Sequence, residues 1–332
     1  MRAVAYTRAL PCSDDACLVD IELPGPEPHG FDLCVAVKAV SVNPVDVKRR
    51  ARDDPGGTLR VLGYDAAGVV VGIGENVTRF QPGDAVYYPG TIGRPGANAE
   101  RHLVDERIVG HMPANLSFAE TAALPLTSLT AYELMFERIR IGRPDPRSVL
   151  MVGAAGGVGS IAIQMARRAG LTVIATASRA ETADWCRPMG AQHVVDHSRP
   201  LAPQLQTLGF ASVDIALGLN ASDRHLPEIA RLIAPLGHVG LIDDPKGFDF
   251  GAFKAKSASI HWEFMFTRSA HATPDMARQG EILDEVAAEV EAGRLRSTLR
   301  EIVGPLDARH LREAHRLVES GRVIGKLALE VV

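Results

Sequence analysis

The residues VLMVGAAGGVGS (149–160) run from an apolar stretch through clustered glycines into an apolar helix-forming segment. A corner of this kind brings backbone close to a phosphate. The helix that follows offers free N–H groups and the positive end of its dipole. In the G-x-G-x-x-G frame the three positions are Ala154, Gly156 and Gly159. Gly156 lets the backbone approach a pyrophosphate, and Gly159 lets the helix lie close on the strand. The N–H groups of Gly156, Gly157 and Val158 then stand at the helix start as phosphate donors. Ala154 departs from the strict pattern. About twenty residues on, a site for the unphosphorylated dinucleotide carries an acid for the ribose 2′-hydroxyl. Here TVIATASRAET (172–182) places Ser178 and Arg179 at that point. A hydroxyl and a guanidinium suit a 2′-phosphate, which an acid would repel. The reading is therefore NADPH over NADH. The alternative is a solvated Arg179 with specificity set elsewhere.

The surrounding pattern predicts the elements that hold this loop. A strand is expected over 148–153, a helix over 158–169 and a second strand over 171–177. Val158, Ile161, Ala162, Met165, Ala166 and Ala169 give the helix one apolar face. VDIALGL (213–219) and HVGLID (238–243) read as further buried strands with helical segments between them. Alternating strands and helices argue for an α/β fold with a doubly wound parallel sheet. The front of the chain differs. DLCVAVKAVSV (32–42), AAGVVVGIG (66–74) and DAVYY (84–88) read as strands separated by turns, so a β-rich domain is expected over 1–122. Residues 117–136 have helical character, with Ser117 and Glu120 spaced as a capping box. The nucleotide-binding part is expected over 123–266. The tail, 267–332, holds helices near 279–292 and 307–320, the second capped by Asp307 and ended by Gly321, and closes with the strand GKLALEVV.

Composition narrows the function classes. The chain has 332 residues, 46% of them hydrophobic, and a net charge of −4, which suits a globular protein with a sizeable core. Its arginines are scattered, so neither nucleic acid nor an anionic membrane is expected as a partner. The start, MRAVAYTRAL, has no apolar signal region. The longest uncharged run, Ser148 to Ala166, has glycines bunched at its centre and reads as strand, turn and helix rather than a membrane span. Cys12, Cys17, Cys34 and Cys186 form no C-x-x-C pair, so a reducing, cytoplasmic setting is expected.

The stretches AVSVNPVDVKRR, LGYDAAGVVVGIGENVTRFQPGDAVYY, AALPLTSLTAYE, GAAGGVGSIAIQMAR, VIATASR and HWEFMFTRS together make the chain resemble the medium-chain dehydrogenase/reductase superfamily. The likeness covers essentially the whole chain. It is closest to the quinone oxidoreductase branch and, within it, to the zinc-type alcohol dehydrogenase-like proteins. It implies a GroES-like β-rich catalytic domain joined to a Rossmann domain. It also implies a cleft, with the front half as one wall and the coenzyme's reactive ring facing it.

Zinc-dependent relatives use a Cys after a strand and a Gly-His-Glu segment. This chain has Asn43 and Gly63-Tyr64-Asp65 at those places, and residues 88–104 contain no Cys. Asn and Tyr are poor zinc ligands, so no metal is expected. His193 and His197 form an H-x-x-x-H, but at a strand end without a zincin glutamate. The resemblance puts Asn43 beside the nicotinamide ribose, bonding the ribose or an acceptor oxygen; the alternative is a helix-starting turn. Asp46 is expected to order that turn. Tyr64 is either a proton donor to the acceptor or a packed aromatic. Thr127 and Thr130 fall near the nicotinamide, with helix-capping hydroxyls as the alternative. Ile242, Asp243, Phe264 and Phe266 flank the carboxamide through their backbone. The strand around IHWEFMF is expected to be a sheet edge that pairs in a homodimer. Lys326 is expected at the surface, with the adenosine phosphate as the less favoured partner.

Without a metal Lewis acid, oxidising a simple alcohol loses its main source of alkoxide stabilisation, whereas a conjugated acceptor needs only hydrogen bonds to its developing oxyanion. The expected function is a zinc-independent, NADPH-dependent reductase of quinones or other α,β-unsaturated carbonyls. The alternatives are an enoyl-thioester reductase and a non-catalytic NADPH-binding redox sensor.

Overall fold

The strand Ser148–Val152 is buried along its whole length, as its unbroken apolar sequence requires of a strand covered on both faces. In the computed structural model, which describes residues 1–332, it pairs in parallel with Thr172–Thr176 on one side and Val213–Gly218 on the other. The sheet extends to six strands. Their order is His193–Val195, Thr172–Thr176, Ser148–Val152, Val213–Gly218, Ile233–Leu241 and Ser259–Trp262, every pairing parallel. Counted along the chain from Ser148 this is 3-2-1-4-5-6, the doubly wound Rossmann order, with its switch point at Ser148–Val152. The helix Gly157–Arg168 buries Ile161, Ala162, Met165 and Ala166, the face anticipated from their spacing. Leu150, Ile174, Val213, Ala216, Leu226 and Val239 belong to one continuous core.

The chain divides into two units: Met1–Leu129 with Phe266–Val332, and Thr130–Met265. The first is built on a seven-stranded sheet around the long strand Asp32–Val42, which pairs antiparallel with Ala66–Ile73, Arg101–Asp105 and the closing strand Lys326–Glu330. Leu327 lies opposite Val42 in that last pairing, so the final strand delivers Lys326 to the end of Asp32–Val42. Two tail helices, Arg278–Glu291 and Ala308–Glu319, belong to the same unit. The second is capped as anticipated: the Asp307 carboxylate accepts from the His310 N–H at 2.8 Å.

The helical stretch over 117–136 is broken in three. Phe118–Ala122 starts with the Ser117/Glu120 capping box, Pro125–Tyr132 follows, and a π turn covers Glu133–Arg138. Pro125 has no N–H and pushes Leu124 out of the helical region, which separates the first two. All four cysteines are free and buried. No helix is long and apolar enough to cross a membrane.

Candidate active site

In the Rossmann unit, the turn after Ser148–Val152 is made at Gly153, whose φ of +81° favours glycine. This explains the tolerated Ala154: the tight turn sits one residue earlier than the motif frame assumes. Gly156 is the N-cap of Gly157–Arg168, with φ −75° and ψ 178°. A Cβ at Gly159 would stand 2.4 Å from the Ala154 carbonyl oxygen, so this position is fixed by helix-on-strand packing. The loop is tied down from behind. Trp185 Nε1 donates to Ser160 Oγ at 2.8 Å, and Ser160 Oγ donates to the Gly156 carbonyl at 2.7 Å.

Ser178 and Arg179 follow Thr172–Thr176. Ser178 is exposed and Arg179, half-buried, is the N-cap of the helix Ala180–Met189. Ile242 follows Ile233–Leu241 directly, and its N–H lies 3.4 Å from the Gly218 carbonyl. Phe264 is exposed beyond the edge strand Ser259–Trp262. His193 packs edge-on to Phe210, while His197 Nδ1 lies 3.1 Å from Thr176 Oγ1, so the two histidines have separate partners. Thr130 is buried in the same unit.

In the other unit the strand Asp32–Val42 ends at Asn43, the N-cap of Pro44–Arg52. The Asn43 N–H donates to Asp46 Oδ2 at 2.8 Å, and the Gly63 N–H donates to Asp46 Oδ1 at 3.0 Å. Asp46 therefore clamps the turn to the segment carrying Tyr64. Burial pushes its carboxyl up to about 7, against the pull of those two donors. With Asp46 serving the backbone, the Asn43 amide faces elsewhere. Its Nδ2 donates to Asp65 Oδ2 at 2.8 Å, and its Oδ1 accepts from Lys326 Nζ.

Asp65 meets further donors. Oδ2 also accepts from Ser41 Oγ at 2.9 Å and Lys326 Nζ at 3.0 Å, and Oδ1 accepts from the Leu126 N–H at 2.7 Å. Lys326 spends its third proton on the Val42 carbonyl at 3.1 Å. It is 4% exposed, which corrects the expectation of a surface lysine. The cause is topological: the closing strand enters antiparallel at Val42 and aims its first side chain at Asp65. A signal was present in the sequence, since Lys326 opens a strand whose next three residues are apolar and buried.

Tyr64 is 2% exposed. Its ring meets Phe266 edge-on at 5.4 Å, and the Arg49 guanidinium lies 6.0 Å from its centroid. Burial raises its pKa, so the phenol stays protonated near neutrality. Phe266 is itself buried, unlike Phe264. Thr127 turns its hydroxyl back on its own helix, donating to the Leu124 carbonyl at 3.1 Å.

The family named below implies zinc. The donors do not fit it. Asn43 and Tyr64 supply an amide and a protonated phenol where thiolate and imidazole are wanted. Asp65 Oδ2 has no lone pair left, because Ser41, Asn43 and Lys326 all donate to it, and the paired Lys326 ammonium repels a second cation. Nowhere do three or more His, Cys, Asp or Glu side chains converge as a metal group.

Residues 29–132 match the alcohol dehydrogenase GroES-like domain, and residues 189–329 match the zinc-binding dehydrogenase family. The chain is 42% identical to a zinc-type alcohol dehydrogenase-like protein of Staphylococcus aureus, over 92% of each chain. It superposes on a crystal structure from Rhizobium etli, provisionally assigned as a zinc-dependent alcohol dehydrogenase. That match has a TM-score of 0.97, 53% identity, and coverage of 100% of this chain and 98% of the other. It is 28% identical to the 2-methylene-furan-3-one reductase of Solanum lycopersicum, over 100% of this chain and 79% of that protein. The chain belongs to the zinc-type alcohol dehydrogenase-like proteins of the medium-chain dehydrogenase/reductase superfamily, a superfamily of oxidoreductases.

Proposed function

We propose that the protein is an NADPH-dependent reductase of quinones or other α,β-unsaturated carbonyls that works without zinc. The observation carrying this reading is Asn43. Its amide is locked between an obligate acceptor and an obligate donor, and one of its two Nδ2 protons remains unspent in a buried setting. An unspent buried donor is costly, and a ligand oxygen relieves that cost. Charge developing on a conjugated acceptor's oxygen is stabilised by such a fixed donor.

The glycine loop supports coenzyme binding. The N–H groups of Gly157 and Val158 open a twelve-residue helix, while that of Gly156 donates to the Gly153 carbonyl at 3.1 Å and closes the turn before it. Ser178 and Arg179 favour the 2′-phosphate. Bound NADPH supplies the hydride. Tyr64, kept protonated by burial, donates a hydrogen bond or a proton toward the acceptor oxygen. Thr127, Thr130, Ile242, Phe264 and Phe266 are assigned to the nicotinamide end by family resemblance, Thr127 through its backbone because its hydroxyl is engaged. The name of the Solanum lycopersicum relative describes a methylene group conjugated to a ring ketone, which agrees with this acceptor class.

The same reading makes the protein cytoplasmic, in keeping with four free thiols. It also makes it a homodimer through the edge strand Ser259–Trp262, where Trp262 is 50% exposed. A monomer in light scattering at micromolar concentration would remove the dimer.

The test is turnover. Protein, NADPH and a panel of 1,4-quinones and enones are mixed, and nicotinamide absorbance is followed with and without a chelator. The expected result is oxidation of NADPH that the chelator leaves unchanged. Tight NADPH binding with no turnover on any acceptor would overturn the catalytic reading in favour of a sensor. Loss of turnover on chelation would overturn the metal-free one.

A further inference from the structure

We infer that Cys12 and Cys17 form a redox pair: a hydroperoxide entering the surface cavity beside Cys12 oxidises the two thiols to a disulfide. The local fold brings them together. The Asp14 N–H donates to the Pro11 carbonyl at 3.0 Å, and the Cys17 N–H donates to the Asp14 carbonyl at 3.1 Å. Asp14 Oδ1 accepts from the Ala16 N–H at 2.9 Å and so caps the single 3-10 turn Asp15–Cys17. This double turn folds Cys17 back on Cys12, and their side chains hydrogen-bond to each other. Cys12 borders a cavity of about 590 Å³ that is lined also by Arg309, Arg312 and Arg316. Cys17 is fully buried.

The surroundings favour loss of one proton from the pair. The hydrogen bond from Cys12 holds the Cys17 thiol below its usual range, against burial, and the Arg50 and Arg312 guanidiniums add to that pull. The remaining proton stays on Cys12, whose thiol is raised by the same bond and by burial. Arg50 lowers Cys12 as well, while Glu319 beside Cys12 and Asp14 beside Cys17 oppose the cations. Two thiols joined in this way titrate as a unit, and passing the shared proton to Cys17 puts the charge on Cys12. Both cations are fixed. Arg50 is fully buried, with Nε directed at His315 Nδ1 at 3.3 Å and with the Leu10 carbonyl and Glu319 as further partners. Arg312 donates to the Asp15 and Leu18 carbonyls at 3.0 and 2.8 Å. The other two cysteines lack this setting: burial raises the Cys34 thiol and pushes that of Cys186 up to about 11. In the reaction the Cys12 thiolate attacks one peroxide oxygen and the O–O bond breaks. The leaving hydroxide recovers the proton first lost to solvent and becomes water. The Cys17 sulfur then attacks the Cys12 sulfenic acid, the S–O bond breaks, and the second oxygen leaves as water with the Cys17 proton. Two thiols and one peroxide thus give one disulfide and two waters.

Neither coenzyme nor acceptor enters this chemistry, so its test stands apart from turnover. Full-length protein is reduced, freed of reductant and treated with a few equivalents of hydrogen peroxide. Remaining thiols are alkylated. The chain is then cut before aspartate, at Asp14 or Asp15 between the two cysteines and at Asp20 and Asp32 ahead of Cys34. Mass spectrometry should find the Cys12 and Cys17 fragments joined, Cys34 and Cys186 alkylated, and the link undone by dithiothreitol. Linking should be at least about tenfold faster than oxidation of Cys34. Cys17→Ser should give no link and, in its place, a Cys12 sulfenic acid that dimedone traps. Arg312→Gln removes a guanidinium that favours the thiolate. Near neutral pH it should slow linking by roughly three- to tenfold, and the midpoint of its pH profile should rise.

Cys12 and Cys17 both alkylated after peroxide treatment would overturn the inference. So would oxidation of Cys34 or Cys186 at the same rate, or conversion of Cys12 and Cys17 to sulfinic acid with no link between them. A rate and pH midpoint of Arg312→Gln equal to those of wild type would overturn the part given to that guanidinium. If either variant does not fold, the mapping on wild type decides alone. If wild type turns over no acceptor, the proposed function fails while the thiol mapping still decides this inference.

Discussion

At Gly156 the protein itself makes no demand for glycine. Its φ of −75° and ψ of 178° are open to any residue, and an added Cβ would meet only the Gly153 carbonyl at 3.4 Å, an ordinary contact. Gly156→Ala therefore separates fold from ligand. Alanine restricts the unfolded chain, which stabilises by about 0.4–1 kcal/mol. Alanine is also the poorer N-cap, which costs about 0.5–1 kcal/mol. The two nearly cancel, and the apparent Tm should stay within about 2 °C of wild type. The methyl group, however, occupies the approach of a pyrophosphate. Losing one hydrogen bond to a charged group costs about 1.5–3 kcal/mol, or roughly 10- to 150-fold in NADPH affinity. Calorimetric titration and thermal melting on the same sample read both numbers. Gly159→Ala is the contrast: a Cβ 2.4 Å from Ala154 O and 2.6 Å from Ala154 C must move backbone, so stability and binding fall together. NADPH affinity of Gly156→Ala within threefold of wild type would refute the phosphate-loop reasoning. A Tm loss above about 5 °C would show that the fold does need glycine there.

Arg179→Ala should weaken NADPH by roughly 10- to 100-fold while NADH changes less than about threefold, since only the former carries the 2′-phosphate; equal losses in parallel titrations would place coenzyme selectivity elsewhere. Tyr64→Phe should lower kcat by roughly 10- to 100-fold with NADPH affinity unchanged, because a donor hydroxyl is lost from a retained ring; unaltered kcat makes Tyr64 a packing residue. His315 is fully buried, with Arg50 Nε directed at its Nδ1 at 3.3 Å, and burial lowers its pKa to about 3. The unfolded chain takes up the proton near pH 6.5, so the stability His315 contributes is present above that pH and lost as pH falls. Burial raises Asp46 and Glu263, which gives the opposite slope, so a comparison with His315→Gln isolates the histidine. The stability advantage of wild type over His315→Gln should shrink by about 2 kcal/mol between pH 6.5 and pH 5; denaturant melts showing a constant difference would refute it.

Local sequence determined much of this protein. Apolar runs bounded by glycines specify the buried parallel strands, and residues 148–182 show the phosphate-binding corner because strand, turn and helix are contiguous there. The capping box at Ser117 and the cap at Asp307 were legible for the same reason: each is completed within three residues. The replacements at Asn43 and Tyr64 were also visible, because they fall inside a continuous motif. What sits between them was not. Lys326 and Asp65 are 261 positions apart, and nothing local to either says that they meet. Only the antiparallel register of the last strand on Asp32–Val42 buries the lysine, and only burial makes its pairing obligatory. The turn of Thr127 onto its own helix, the shift of the glycine corner to Gly153 and the inward packing of Phe266 beside Tyr64 were likewise decided by tertiary contacts. Sequence determined which groups were available for chemistry; long-range packing decided which of them were already spent on one another, because hydrogen-bonding capacity is consumed by neighbours in space.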